Sequence, residues 1–294
     1  MTSIPPSPPG AMTLDVEDYF QVEAFAGIVD PARWDDFAPR VVANTERALD
    51  LFAAAGARAT CFTLGWVAER HPALVRRILA EGHELASHGY GHQRADRIGE
   101  AAFAADIARA KALLEDIGGT AVIGYRAPTF SIGPRTPWAF EALARAGYRY
   151  SSSVFPIRHD LYGAPDSPRG PHRRGPILEL PMTTLRLGGR NLPLAGGGWF
   201  RLAPYALFRA GLRRVQGEGG RAIFYFHPWE IDPAQPAIAG ASARSRFRHR
   251  LNLARMEERL RHLLHDFTWD RMDRVFAPEL AAQRAPERTA EHAA

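Results

Sequence analysis

The stretch Arg221-Ala222-Ile223-Phe224-Tyr225-Phe226-His227-Pro228-Trp229-Glu230 runs from a strongly apolar segment directly into polar residues. A short apolar run of this kind, rich in aromatic side chains, predicts a buried β-strand. In α/β barrels, the residues that carry the chemistry lie at the carboxyl ends of the buried strands. The stretch therefore predicts that His227 lies at a strand end where a functional site can form.

Three further segments show the same change from a predicted strand to polar residues. The strand 11–16 ends in Asp15-Val16-Glu17-Asp18, the run 83–86 leads to His88, and the strand 121–125 is followed by Arg126. Chemistry in α/β barrels is assembled from the ends of several different strands. These groups and His227 are therefore candidates for a single site.

Helical patterns alternate with these strand patterns along the chain. Apolar periodicity predicts helices over 40–55, 72–80, 101–117, 137–146, 203–215 and 252–267. Further extended segments are predicted at 60–64, 148–150 and 177–182. A loop at 155–176 is long enough to contact a substrate, and Gly196-Gly197-Gly198 predicts a tight turn. Because strands recur after helices, the pattern indicates an α/β fold with a parallel sheet, closed or doubly wound.

Composition is that of an ordinary globular domain. The 294 residues are 46% hydrophobic and 23% charged, with a net charge of +5. The arginines are scattered among acidic residues, and the densest basic run, 244–250, is interpreted as a solvated helix, so no nucleic-acid partner is expected. Cys61 is the only cysteine, which excludes an intrachain disulfide and a multi-thiolate metal site.

The chain is predicted to contain one large domain. Residues 1–10 are expected to form a flexible leader, 11–277 the domain, and 278–294 a disordered tail with little to bury. The sequence contains neither a signal-peptide pattern nor an apolar run of transmembrane length. These features predict a cytoplasmic protein.

The segment Ala86-Ser87-His88-Gly89-Tyr90-Gly91-His92 contains two histidines four residues apart. Two such imidazoles can bind one divalent cation if the backbone between them curls through about one turn. The two glycines favour a loop over a helix interior. The spacing alone leaves two interpretations open, a pair of metal ligands or two surface or capping histidines. A carboxylate from the 15–18 cluster would complete a site with positions left open for water.

These residue types suit hydrolysis of an amide. A divalent metal can lower the pKa of its bound water and polarise a carbonyl, a carboxylate can act as base, and a histidine can protonate the departing amine. An arginine paired with the base would keep it ionised. Each group also has a plainer interpretation, because Asp18 or Glu17 could cap a helix, His227 could end a strand and Arg126 could form a surface ion pair. The combination at strand ends favours an enzyme.

The chain resembles the polysaccharide deacetylases, which are metal-dependent de-N-acetylases with a distorted (β/α) barrel of about seven strands. The resemblance extends from Leu14 to Pro228 and follows the order of the acidic, His-x-x-x-His, Arg-x-Pro and late-histidine motifs. More narrowly, four motifs resemble the branch encoded with bacterial exopolysaccharide and exosortase loci. They are Asp15-Val-Glu-Asp-Tyr-Phe20, Ser152-Ser-Val-Phe-Pro156, Gly196-Gly-Gly-Trp-Phe-Arg-Leu202 and Phe226-His-Pro-Trp-Glu-Ile-Asp-Pro233.

The resemblance implies a role for each candidate residue. Asp15 would be the general base, Arg126 the residue that orients it, and His227 the general acid. The metal ligands would be His88 and His92 with a carboxylate from Asp18 or Glu17. Asp18 is slightly preferred, because a turn after Val16 would direct it to the metal, whereas a continuing strand would direct Glu17 there. The metal would be a divalent ion, zinc first, with cobalt, nickel or manganese as alternatives.

One position departs from the family pattern. Where the pattern places an aspartate that supports the late histidine, this chain has Ser151. Without a carboxylate His227 would be less basic and less well oriented, unless Asp160 or Asp166 takes that place.

The favoured hypothesis is an enzyme that removes N-acetyl groups from amino sugars of a bacterial exopolysaccharide or its precursor. Its partners would be an N-acetylated oligo- or polysaccharide and, by the same resemblance, a polysaccharide-synthesis complex. The alternatives are an amidohydrolase of the same fold that cleaves another non-peptide C–N bond, and a non-catalytic carbohydrate-binding or scaffold protein.

Overall fold

Seven parallel strands form the centre of the protein in a computed structural model that describes residues 8–283. The sheet order is β10-β1-β2-β3-β4-β5-β7, with β6 antiparallel at one edge and the short β11 paired with β1. The strands are β1 (Gly10–Val16), β2 (Thr60–Thr63), β3 (Glu84–Ser87), β4 (Gly124–Tyr125), β5 (Tyr150–Ser151), β6 (His172–Arg174), β7 (Ile177–Glu179), β8 (Thr184–Leu187), β9 (Arg190–Pro193), β10 (Ile223–Phe226) and β11 (Trp269–Asp270). Strands β8 and β9 form a separate hairpin.

The sheet curls into a distorted barrel that its backbone ladders do not close. Within residues 8–283, β7 and β10 share no ladder, and a side chain bridges this gap: Ile223 N donates to Thr183 Oγ1 at 2.6 Å. The predicted α/β fold, a distorted (β/α) barrel of about seven parallel strands, is confirmed. No helix in this part of the chain combines the length and the apolar composition needed to cross a bilayer.

Helices pack around the sheet. They are α1 (Val41–Ala54), α2 (Gly65–Arg70), α3 (Pro72–Ala80), α4 (Ala95–Gly118), α5 (Trp138–Arg145), α6 (Gly197–Leu202), α7 (Tyr205–Gly217), α8 (Ala243–Arg250), α9 (Leu253–Asp266), α10 (Met272–Val275) and α11 (Ala277–Ala282). Buried side chains of α1 and α9, such as Phe52 and Leu260, pack in one cluster, and those of α4 and α5, such as Ile107, pack in another. A third cluster, which includes Phe62, Tyr150 and Leu178, joins strands across the sheet.

The strand ends lie at one level, which explains how the site forms. One row of paired residues runs across six strands: Val16, Thr63, Ser87, Tyr125, Ser151 and Glu179. On the other side of β1, Leu14 pairs with Phe226. Because these strands are parallel, the residues that follow them leave the sheet at the same edge. Glu17, His88, Arg126 and His227 are each the first residue after such a strand.

Three sequence-based expectations needed correction. The glycines at 196–198 do not form a simple turn, because α6 begins at Gly197. The leader cannot extend to residue 10, because Gly10 begins β1; residues 1–7 lie outside the described part. The disordered tail is wrong for residues 278–283, where α11 buries Leu280 and Glu279 pairs with Arg221. Residues 284–294 lie outside the described part.

Candidate metal and catalytic site

Glu17, His88 and His92 converge at the carboxyl edge of the sheet. One ligand atom from each lies within 4.8 Å of the others, and all three side chains are almost completely buried. Glu17 Oε2 is 2.7 Å from His92 Nε2 and 3.9 Å from His88 Nε2. Two histidines and one carboxylate are a ligand set that leaves positions open for water and substrate. The three residues could therefore hold a divalent metal.

The chemistry of these atoms fits a cation between them. Glu17 Oε2 is buried and accepts no hydrogen bond, although His92 Nε2 is near. His88 Nδ1 lies 2.9 Å from the carbonyl oxygen of Arg126, which can only accept, so Nδ1 carries the proton and Nε2 presents a lone pair. Burial lowers the pKa of His88 to about 4, which keeps this imidazole neutral.

The segment 88–92 is fixed by its neighbours. Gly65 N donates to Gly89 O at 2.8 Å, and Trp66 N donates to Tyr90 O at 3.0 Å. The carboxylate of Asp106, on α4, accepts from Tyr90 N and Gly91 N at 2.9 and 3.2 Å. Gly89 has φ +75°, and an added Cβ would lie 2.7 Å from Asp106 Oδ2. The curl between the histidines thus depends on Asp106, which the sequence analysis missed, because nothing in the helical pattern around it indicates this contact.

Asp18 was expected to be a metal ligand, but its carboxylate binds backbone donors. Its Oδ1 accepts from Tyr19 N at 2.8 Å, and its Oδ2 accepts from Arg40 N and Val41 N at 2.7 and 3.0 Å. Val41 begins α1, so Asp18 caps that helix from a distant part of the chain. The preference for Asp18 as the ligand was therefore wrong, because its carboxylate is occupied by backbone donors and Glu17 lies with the histidines.

Asp15 lies beside this cluster and is held by Arg126. Arg126 Nη1 donates to Asp15 Oδ1 at 2.6 Å and to Thr13 Oγ1 at 2.7 Å. Its Nε and Nη2 donate to the carbonyl oxygen and hydroxyl of Ser152, both at 3.1 Å, and its guanidinium lies 4.1 Å above the Phe62 ring. Arg126 is completely buried and Asp15 is 2% exposed. A buried guanidinium held at this many points fixes the direction of the carboxylate.

His227 is supported by Glu230, three residues further along the chain. Glu230 Oε2 accepts from His227 N at 3.0 Å and lies 3.1 Å from His227 Nδ1, so His227 Nε2 faces the cleft, 3.6 Å from Glu17 Oε1. Glu230 Oε1 accepts from Arg201 Nε at 2.9 Å, and Arg201 is itself buried and bonded to the carbonyl oxygens of His249 and Leu251. Arg201 therefore positions the Glu230 carboxylate, and this carboxylate in turn positions His227.

The support for His227 does not come from the positions considered in the sequence. Ser151 is buried and its hydroxyl donates to Ser153 Oγ at 2.8 Å. Asp160 accepts from Arg244 and Arg248 at 2.7 and 3.0 Å, and Asp166 lines a different cavity. The structure therefore places Glu230 at His227 Nδ1, where the sequence had left Asp160 and Asp166 open as alternatives. The signal for Glu230 was present as the i, i+3 spacing in His227-Pro-Trp-Glu230, which allows a side chain to reach back to the start of a turn.

Charges in the cleft favour an ionised Glu17 and a protonated His227. Burial by itself would raise the pKa of Glu17, but the nearby His92 and His227 lower it to about 2. Burial would lower the pKa of His227, but Glu17 and Glu230 raise it to about 9. Asp15, Glu17, His88, His92 and His227 all line one cleft of about 230 Å³. The structure therefore places a carboxylate held by arginine and a histidine held by glutamate around one candidate metal position.

The glycine motif before Trp199 is required at Gly197, where there is no room for a side chain. A Cβ built at Gly197 would overlap the carboxylate of Glu230. We predict that Gly197→Ala displaces Glu230 from His227 and lowers kcat for amide hydrolysis by about 10-fold or more, since small misplacements of catalytic groups are costly. The matched control is Gly198→Ala, where no atom lies within 4 Å of the new Cβ. Equal rates for the two variants would contradict this account of the motif.

Family models and curated relatives match parts of the chain. The polysaccharide deacetylase family model matches residues 33–151, and the model of a domain of unknown function, DUF3473, matches residues 152–277. Two peptidoglycan-N-acetylglucosamine deacetylases of Bacillus cereus are 32% and 35% identical over 84 and 71 residues, which are 29% and 24% of this chain. The chain spans only about a third of these relatives, 30% and 33% of their lengths.

One solved structure shows the same fold over almost the whole chain. A Mycobacterium smegmatis protein described as a candidate polysaccharide deacetylase superposes with a TM-score of 0.62 at 23% identity, covering 99% of this chain and 96% of that one. A family 4 carbohydrate esterase from Streptomyces lividans, solved with acetate, gives a TM-score of 0.47 at 16% identity over 87% and 90% of the two chains.

The two matched segments are parts of one architecture. Their boundary falls between Ser151 and Ser152, at the end of β5, and the second segment supplies β7, β10 and His227 to the sheet and cleft begun by the first. The chain therefore contains a segment that matches the polysaccharide deacetylase family model, residues 33–151, and the DUF3473 segment continues the same sheet.

Proposed function

We propose that the protein is a metal-dependent hydrolase that removes N-acetyl groups from amino sugars of a bacterial exopolysaccharide or its precursor. One observation carries the proposal: Glu17, His88 and His92 meet in a cleft that Asp15 and His227 also line. The match of residues 33–151 to the polysaccharide deacetylase model and the resemblance of four motifs to the exopolysaccharide branch support the choice of substrate. This proposal assigns every predicted site residue except Asp18 to a chemical task.

Glu17, His88 and His92 would hold the metal. Zinc is the first choice because it accepts histidine nitrogen and carboxylate oxygen in a site with an open position, and cobalt, nickel and manganese accept the same donors. When bound, such an ion lowers the pKa of water and polarises an amide carbonyl. The hydrogen bond from His88 Nδ1 to the Arg126 carbonyl orients the ring, as outer partners of metal ligands do.

Asp15 would accept the proton of the attacking water. Arg126 holds Oδ1, and the same guanidinium is fixed by Thr13 and Ser152, so the position of the base is set before substrate binds. Such preorganisation is worth orders of magnitude in rate. Because Asp15 and Arg126 are both buried, their ion pair is also protected from solvent screening.

His227 would donate the proton that the departing sugar nitrogen requires. The carboxylate of Glu230 lies at Nδ1, so the proton to be transferred sits on Nε2, which faces the cleft. The ring is also stacked on Trp229 with centroids 5.1 Å apart, and Trp229 is stacked on His249. Base and acid are therefore held by separate ion pairs, Asp15 with Arg126 and His227 with Glu230 and Arg201.

The proposal is tested by acetate release from N-acetylglucosamine oligomers and from the polymer of the source bacterium. We expect release by protein loaded with zinc, cobalt, nickel or manganese, and loss of release after treatment with a chelator, with recovery on adding metal. A protein that binds metal stoichiometrically at the cluster and releases no acetate from any of these substrates would contradict the proposal.

The two alternatives have weaker support. The non-catalytic hypothesis was motivated by Ser151, and the position of Glu230 removes that motivation because His227 has its carboxylate. An amidohydrolase for a small ring substrate would suit a closed pocket. Here, aromatic side chains of the cleft contact Trp199, which lines a second, larger cavity of about 700 Å³. An extended substrate fits this arrangement better.

The two neighbouring acids Glu17 and Asp18 should behave differently on truncation. Glu17→Ala is expected to weaken zinc binding by more than about 100-fold, because even outer-shell partners are worth 10 to 100-fold. Asp18→Ala is expected to leave zinc stoichiometry at the wild-type value and lower the free energy of unfolding by about 1–2 kcal/mol through loss of the α1 cap. Competition with a chromophoric chelator and urea unfolding measure the two effects. Loss of zinc from the Asp18 variant alone would overturn the assignment.

A further inference from the structure

A second cavity of about 700 Å³ lies next to the catalytic cleft and has a basic wall. It forms between the loop after β5 and the β8–β9 hairpin. Three arginines, Arg158, Arg186 and Arg190, line it, and Asp166 is the only acidic residue among its described lining. The positive charge of the three arginines thus lines a concave cavity, where the electrostatic potential is stronger than on a flat surface.

These arginines lack carboxylate partners, in contrast to those of the catalytic cleft. Among residues 8–283, none of the three forms a salt bridge, whereas Arg126, Arg201 and Arg248 all do. Arg186 Nη1 donates only to the neutral amide of Asn191, at 3.0 Å. The three guanidiniums therefore keep donors available for an anion, and their fork geometry suits carboxylate and phosphate oxygens.

The cavity is built by specific contacts. Asn191 Nδ2 donates to Pro156 O at 2.8 Å, which ties the hairpin to the loop. Arg169 donates from Nε to Thr184 Oγ1 at 2.9 Å and from Nη2 to Thr184 O at 2.6 Å, which ties the first hairpin strand to the same loop. Prolines 156, 165 and 193 add stiff backbone to the walls. The cavity is consequently preformed.

Aromatic rings connect the two cavities. His159 and Tyr162 line the catalytic cleft and are stacked with centroids 4.0 Å apart. The rings of His159 and Trp199 lie edge to face with centroids 5.9 Å apart, and Trp199 lines the basic cavity. Flat rings of this kind offer apolar faces to sugars. A glycan chain with one residue over the candidate metal position could therefore continue across these rings to the arginines.

We propose that the basic cavity is a subsite for an anionic group of the substrate, a carboxylate or phosphate attached to the glycan outside the residue that is deacetylated. This inference rests on the proposed function for its substrate, because it identifies the polymer or precursor as acidic. It makes Arg158, Arg186 and Arg190 residues that determine specificity, with no part in the chemical step.

The test is calorimetric titration of full-length Asp15→Asn protein without added metal, so that no turnover interferes. The ligands are the neutral N-acetylglucosamine hexamer, a hyaluronan hexasaccharide for the carboxylate, and UDP-N-acetylglucosamine for the phosphate. We expect at least one anionic ligand to bind about tenfold more tightly than the neutral hexamer, and the difference to shrink at high salt. Preference for hyaluronan identifies a carboxylate, and preference for the nucleotide sugar identifies a phosphate.

Variants assign the preference to the cavity. The exposed pair Arg158→Gln with Arg190→Gln should abolish it, Arg158→Lys with Arg190→Lys should keep part of it, and Arg255→Gln, an exposed arginine on α9, should keep all of it. Equal binding of neutral and anionic ligands, or equal losses in the Arg255 control, would overturn the inference. Because binding is measured without turnover, acetate release without anion preference would refute this subsite alone, and anion preference without acetate release would refute the catalytic proposal alone.

Discussion

Asp15→Asn is expected to lower kcat for acetate release by about 10³-fold, within the 10² to 10⁴-fold range of general acid–base catalysis. Asparagine has the same shape and keeps an oxygen for Arg126, but it cannot take a proton from water at neutral pH. Thr13 and Ser152 still bind the guanidinium, so the fold should persist with a lowered melting temperature, since the buried Arg126 loses its charged partner.

Three measurements on the same protein separate chemistry from stability: steady-state acetate release, zinc stoichiometry and thermal unfolding. Asp36→Asn is the control, because Asp36 is an exposed aspartate that only pairs with Arg33, and its rate should match wild type. If Asp15→Asn binds zinc, remains folded and keeps more than a tenth of the activity, Asp15 is not the base.

Glu230→Gln is expected to lower kcat for N-acetyl substrates by about 10²-fold. Glutamine retains an oxygen for Arg201 and fills the same space, but the negative charge at His227 Nδ1 is lost. Without that charge His227 holds the proton it must donate less well, and its ring is less firmly oriented. A 4-nitrophenyl acetate substrate provides the discriminating readout. Its leaving group departs without protonation, so we expect the ester rate to fall much less than the amide rate.

Glu258→Gln is the control for Glu230→Gln, because Glu258 is an exposed glutamate on α9 that lies 3.9 Å from His262 and away from the cleft lining. Both substrates should be hydrolysed by this variant at wild-type rates. Equal losses for amide and ester in Glu230→Gln would show that Glu230 maintains structure only, and the account of His227 as the proton donor would have to be given up.

The general position of the site could be predicted because it follows from local pattern. A buried strand directly precedes each of Glu17, His88, Arg126 and His227, and parallel strands bring such residues to one edge. The choice between Glu17 and Asp18 could not be predicted, because it depends on α1, whose first backbone donors at Arg40 and Val41 occupy Asp18. Asp106 was hidden for the same reason, since its partners lie 15 and 16 residues before it.

The fold was predictable to a similar degree. Apolar periodicity predicted α3, Pro72–Ala80, with its observed bounds, because Pro72 fits the first position of a helix. The prediction of disorder was wrong for residues 278–283, because α11 is stabilised by contacts remote in sequence. These contacts are the burial of Leu280 and the Arg221–Glu279 ion pair. The barrel gap bridged by Thr183 and Ile223 is also a tertiary feature that no local pattern indicates.

The central claim is that Glu17, His88 and His92 hold one metal ion beside Asp15. Crystals of the zinc-loaded protein, measured on both sides of the zinc absorption edge, test it most directly. We expect one anomalous peak about 2.0–2.2 Å from a Glu17 oxygen and from Nε2 of both histidines. A peak bound by Asp18 in place of Glu17, or no peak at this cluster in protein that contains stoichiometric zinc, would contradict it.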